Sequence, residues 1–169
     1  MSCRSPALKA LGLVSCGGVS NEGFTQLISK CPLLEDLLLV FCHNVGGRDV
    51  YEATGRACPQ LRRFRLRKRA FCFHGSGEAL GVAAMHGLRT LALLGSDVTN
   101  DELAAVLDGC PHLESLDMSK CFNIVADDAL RARCAGIKLL VLPLRREVDD
   151  EYEYETLCSR DVDSGGDSD

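Results

Sequence analysis

Apolar positions recur along this chain in six frames led by Leu8, Leu34, Leu61, Leu88, Leu113 and Ile137, spaced 26, 27, 27, 25 and 24 residues apart. Each leader is followed at +3 and +5 by an apolar pair: Leu11/Leu13, Leu37/Leu39, Phe64/Leu66, Leu91/Leu93, Leu116/Met118 and Leu140/Leu142. A spacing of two is the period of a strand with one buried face. Between the strands the period changes. Leu103, Val106 and Leu107 follow Thr99-Asn100-Asp101-Glu102, and this order predicts a helix opened by a capping box. Ser20 and Ser76 are the expected N-caps of the helices in the first and third frames. Each unit thus supplies one short strand and one helix, too little to bury its own apolar edge. Stacking solves this, and the repeat predicts an α/β solenoid with a parallel sheet along its inner, concave side.

Cysteine keeps the same beat. Cys31, Cys58, Cys110 and Cys134 lie three residues ahead of a leader, and Cys16, Cys42 and Cys121 lie three residues after the last apolar strand position. The fourth frame carries Ser96 at that second position. Ten cysteines could instead form a disulfide framework, but that needs an oxidising compartment, and the apolar stretch of residues 1–16 is short and broken by Gly12 and Ser15. Even spacing favours reduced, buried thiols packed coil on coil as small hydrophobes. Zinc is disfavoured because no CxxC pair occurs.

Frames such as CPLLEDLLLVFCHNV and CPHLESLDMSKCFNI resemble the cysteine-containing leucine-rich repeats of F-box/leucine-rich-repeat proteins, most closely those of plants. The resemblance covers about residues 5–144. It implies a leucine-rich-repeat horseshoe of about six repeats whose concave face holds a protein destined for ubiquitination. In that family the F-box, an N-terminal helical module, docks on the adaptor of a cullin-type ligase. Seven residues precede Leu8, which leaves no room for an F-box here, so a ligase adaptor is an expected partner only of a longer form. The third frame also departs from the pattern, since FRLRKRAFCFHGSGEAL lengthens the loop between strand and helix. The resemblance carries no catalytic residues. The alternatives are a free-standing adaptor or decoy, and a small-molecule receptor on the same scaffold.

Composition sharpens the partner question. The chain has 169 residues, 46% hydrophobic and 25% charged, with a formal net charge of −5. Residues 145–169 hold ten acids and three Arg, so the repeats carry +2 and the acid is concentrated in a tail. The sequence divides into a stub (1–7), a repeat domain (8–144) and this tail, whose composition is that of a disordered segment. The tail is a solubilising end, a docking or phosphorylation segment around Ser164, or a cover for the Arg cluster. No apolar run is long enough for a membrane span. Cytoplasm or nucleus is the expected location. Nucleic acid is disfavoured because the repeats lack a broad basic, aromatic surface. His74-Gly75-Ser76-Gly77 fits neither a nucleophile elbow nor a P-loop, so no enzyme and no cofactor are expected.

Strand alternation places Arg63, Arg65 and Arg67 in one row on the concave face, flanked by Leu38 and Val40 on one strand and Ala92 and Leu94 on the other. Guanidinium groups bind carboxylate and phosphate in bidentate fashion. These seven residues are the expected partner-binding set, for an acidic or phosphorylated segment. The competing expectation is that Asp36, Asp117 or the tail answers the row within the molecule.

Overall fold

The computed structural model describes residues 7–69 and 77–144. Strands and helices alternate from end to end: β1 (Ala10–Val14), α1 (Asn21–Ile28), β2 (Asp36–Val40), α2 (Arg48–Ala57), β3 (Arg63–Arg67), α3 (Glu78–Val82), β4 (Thr90–Leu94), α4 (Asn100–Gly109), β5 (Ser115–Asp117), α5 (Asp128–Arg133) and β6 (Leu139–Val141). The six strands form one open parallel sheet in the order of the sequence. Each pairs with the next in the same phase. Ala10 meets Asp36, Asp36 meets Arg63, Arg63 meets Thr90, Thr90 meets Ser115 and Ser115 meets Leu139. A slip of one residue would turn every apolar strand position to solvent, so burial holds this register.

The +3 and +5 residues point inward. Leu37, Leu39, Phe64, Leu91, Leu93 and Leu116 are fully covered or nearly so, and share one continuous core with Phe24, Ile28, Tyr51, Leu103 and Val106 from the helices. The helices therefore cover one face of the sheet and leave the other open. The ends of the stack are less protected. Leu11 and Leu13 of β1 are half-buried, while Leu139 and Val141 of β6 remain 69% and 47% exposed.

Local chemistry sets the helix starts. The Thr99 hydroxyl accepts from the Glu102 backbone N–H while the Glu102 carboxylate accepts from the Thr99 N–H at 2.9 Å, completing the expected capping box. Ser20 caps α1 by accepting from the Gly23 N–H. The third helix differs from expectation. Its N-cap is Gly77, in the left-handed region at φ 60° and without a side-chain bond, while Ser76 lies outside the described residues. Glycine adopts this left-handed conformation at little steric cost.

The thiols explain why cysteine recurs. Cys31, Cys42, Cys58, Cys110, Cys121 and Cys134 are buried and Cys16 is half-buried, all seven free of disulfides. Cys58 Sγ donates to the Cys31 carbonyl (3.3 Å), Cys110 Sγ to the Met85 carbonyl (3.4 Å), Cys42 Sγ to the Leu13 carbonyl (3.4 Å) and Cys121 Sγ to the Leu93 carbonyl (2.7 Å). Each acceptor belongs to the preceding coil. A thiol is small and apolar enough for the core, and its S–H satisfies a carbonyl on the way. Burial raises the Cys58 and Cys121 thiols to about 11 and Cys110 to about 12. Thiolate is the species that alkylates. Iodoacetamide at pH 7.5 should therefore modify Cys3 and Cys158, in sequences outside the described residues, well before Cys31, Cys58, Cys110 and Cys134, as peptide mapping over time would show. Uniform labelling of all ten cysteines in folded protein would contradict the thiol ladder.

Candidate functional site

The open face of the sheet is built from the residues that alternate with the buried ones. Arg63, Arg65 and Arg67 do form a row on β3, with Leu38 and Val40 half-buried beside them on β2 and Leu94 half-buried on β4. Ala92 contributes little to this surface. Its methyl lies between Arg65 and Asp117 in the strand register, and the longer neighbours leave it 9% exposed.

The three arginines are not equivalent. Asp36 stands opposite Arg63 in the ladder and pairs with both Arg63 Nη1 (3.0 Å) and Arg65 Nη2 (3.1 Å). Two charges of the row are thus answered within the molecule. Asp117 is engaged elsewhere, accepting from the Ser119 N–H (2.9 Å) and hydroxyl (2.5 Å). Arg67 instead lies over the Phe41 ring at 5.3 Å, and Arg69 approaches the same ring at 5.8 Å. Both distances suit a cation–π contact. The exposed cationic charge therefore collects at the C-terminal rim of β3 and not along the middle of the face.

Sequence reasoning missed how this rim arises. Ser15, Phe41, Gly95 and Lys120 all take positive φ, at 53°, 55°, 73° and 61°, each directly before the second cysteine position of its frame, at Cys16, Cys42, Ser96 or Cys121. The turn that carries the chain away from the sheet needs a left-handed residue there. In the third frame the corresponding pair is Lys68-Arg69, so a long cation replaces the small buried thiol. Beside it opens a cavity of about 350 Å³ lined by Phe41, His43, Leu66, Arg67, Lys68, Arg69 and Glu78, among others. Lys68 Nζ pairs with the buried Glu78 carboxylate at 2.6 Å. Burial raises the Glu78 pKa, and Lys68 opposes that shift.

A second device also went unread. Asn44 Nδ2 donates to the Gly17 carbonyl and Asn123 Nδ2 to the Asp97 carbonyl, while Asn21 and Asn100 each exchange two bonds with backbone 25 residues further on. Asn two residues after Cys42 and after Cys121 was the available signal. These amides satisfy loop backbone between coils and stiffen the rim. Among the described residues no group of three metal-ligating side chains converges, and no helix is long and apolar enough to cross a membrane.

A parallel one-strand, one-helix solenoid with apolar positions at +3 and +5 and thiols between coils defines a leucine-rich-repeat protein. Residues 47–149 match the family model described as the leucine-rich repeats of the FBD-associated F-box protein At5g56370. The chain belongs to the plant F-box/leucine-rich-repeat family. It is 45% identical over 138 residues to a putative F-box/LRR-repeat protein 23 of Arabidopsis thaliana, covering 78% of this chain and 30% of the relative. Putative F-box/LRR-repeat protein 22 of the same plant is 38% identical, covering 91% of this chain and 50% of the relative. Its F-box protein SKIP19 is 30% identical, covering 95% and 51% respectively. The chain thus spans between about a third and about half of the length of these relatives.

Proposed function

We propose that this chain is a non-catalytic protein-binding module, the substrate-recognition arm of an F-box-type subunit of a cullin-based ubiquitin ligase, acting in the cytoplasm or nucleus. The observation that carries the reading is the open, parallel six-stranded face in a chain whose relatives are F-box/LRR proteins. A sheet of this kind presents a fixed array of side chains from successive coils, which suits an extended protein surface. The partner rests on the concave face, with Leu38, Val40 and Leu94 as apolar contact, Ala92 as a shallow floor, and Arg63, Arg65 and Arg67 meeting acidic groups. Arg67 carries the largest share of that attraction, because Asp36 already engages the other two. A ligase adaptor joins only through an F-box in a longer form; metal, cofactor, membrane and nucleic acid have no part.

The test replaces Arg63, Arg65 and Arg67 together by Ala. Surface ion pairs contribute about 0–1 kcal/mol each, so the melting temperature should barely move. Capture of a partner verified with the parent chain should fall, and a Glu22→Arg control on the exposed side of α1 should leave it unchanged. Undiminished capture by the triple variant would remove the arginine row from the mechanism.

A further inference from the structure

We propose that the cavity at the β2–β3 rim is a docking site for an acidic segment containing aromatic residues, and that its occupant in this protein is the chain's own Glu147–Glu155. The site has the required chemistry. Phe41 offers a half-buried ring, and Arg67 and Arg69 both approach it. Neither guanidinium has an acidic partner within ion-pair distance among the described residues, in contrast to Arg63, Arg65, Arg89 and Arg133. The apolar side of the cavity comes from Val45 and Leu66.

Phe41 sits there at a cost. A bulky side chain is disfavoured in the left-handed region, and the equivalent position of the fourth frame uses Gly95. Ser15 and Lys120 take the same conformation in their frames, and of these four positions only Phe41 presents an aromatic ring, with two guanidinium groups over it.

The occupant is within reach and complementary. All strands are parallel, so the chain leaves β6 at the same edge of the sheet that carries Arg67. Register places Val141 level with Asp117, Ala92 and Arg65. At a strand spacing of about 4.8 Å, β6 lies roughly 15 Å from β3. Tyr152 follows Leu144 by eight residues. Extended chain covers about 3.3 Å per residue, so that stretch reaches roughly 26 Å. Its sequence, EVDDEYEYE, alternates carboxylates with Tyr152 and Tyr154. Carboxylates would pair with Arg67 and Arg69 while a tyrosine ring meets Phe41. Docked in this way, the segment covers one end of the concave face and competes with acidic partners there.

The experiment uses a fluorescein-labelled EVDDEYEYE peptide and the full chain in two forms, native and neutralised, the latter with Glu147, Glu151, Glu153 and Glu155 changed to Gln and Asp149 and Asp150 to Asn. Fluorescence anisotropy at low salt should show the peptide binding to the neutralised chain. Binding should be at least about tenfold weaker to the native chain, whose own segment competes at high effective concentration. Adding Phe41→Gly to the neutralised chain should abolish binding without lowering its melting temperature, because the substitution relieves the left-handed strain. Adding Arg67→Ala and Arg69→Ala should also abolish it. Equal binding to native and neutralised chains would overturn the proposal by showing that the site is not self-occupied. No binding to either form, or binding indifferent to Phe41 and the two arginines, would overturn the site itself. Competition that appears only as chain concentration rises would assign the segment to a second copy and contradict docking within one molecule. None of these readouts involves the concave-face partner, so failure here is distinguishable from failure of the ligase reading.

Discussion

Lys68→Met should cost about 3 kcal/mol of stability near neutral pH. Lys68 Nζ lies 2.6 Å from the Glu78 carboxylate, with the two side chains 17% and 3% exposed. Removing one member of a buried pair strands the other charge, at a cost of about 3–5 kcal/mol, and the slight exposure of the lysine favours the lower end. Asp97 nearby pushes Glu78 the same way as burial, while a bond from the Gly47 N–H opposes it, as Lys68 does. The folded Glu78 pKa already lies above the usual 4.5 because burial outweighs the pull of Lys68. A raised acid contributes stability that is complete below its unfolded pKa and is lost as pH rises through the folded value. Without Lys68 the folded value rises further, so the loss extends to higher pH. The deficit of Lys68→Met against the parent should therefore be greatest near pH 7 and shrink as pH falls towards 4.5. Urea melts at a series of pH values measure this, and a deficit that stays constant from pH 7 to pH 5 would show that the pair is not the cause.

Gly109→Ala should destabilise by about 1–3 kcal/mol, the range for forcing extra volume into a packed site. Gly109 ends α4, and a Cβ there would fall on the Ala83 carbonyl just past α3. The obstacle is backbone, so relief requires the two coils to separate. His86 Nδ1 donates to the Gly109 carbonyl at 2.7 Å, and that bond would be disturbed as well. Gly136 supplies the control, since a Cβ there meets nothing within 4 Å. Gly136→Ala should stay within about 0.5 kcal/mol of the parent, as ordinary surface changes do. Equal melting temperatures for the two variants would refute close coil-to-coil packing at α3–α4.

The repeat was legible because every coil solves the same burial problem with the same residues. Leu8, Leu34, Leu61, Leu88 and Leu113 announce the phase of each strand, and the ladder of Asp36, Arg63, Thr90 and Ser115 follows from that phase. The buried thiols and the Thr99 capping box were equally local signals. Two further features were not legible. Met85 occupies the first cysteine position of the fourth frame and is 2% exposed, because shape and not chemistry is what that position selects. The N-cap of α3 is Gly77 in the left-handed region with no side-chain bond, a backbone-only start that leaves no capping side chain in the sequence to read. An answer to the arginine row from within the molecule was one of the two expectations, but spacing alone does not decide that Asp36 takes both Arg63 and Arg65 while Asp117 turns to Ser119. That pairing relocated the free cationic charge from the middle of β3 to Arg67 and Arg69.

The concave face as the protein-binding surface is the central claim, and hydroxyl-radical footprinting of the full chain with a verified partner tests it most directly. Protection of Leu38, Val40 and Leu94 on β2 and β4 together with Arg67, while exposed Leu27 on α1 and Arg56 on α2 keep their free-chain reactivity, is the expected result. Protection confined to the helices, with the β2–β4 side chains as reactive as in the free chain, would contradict it.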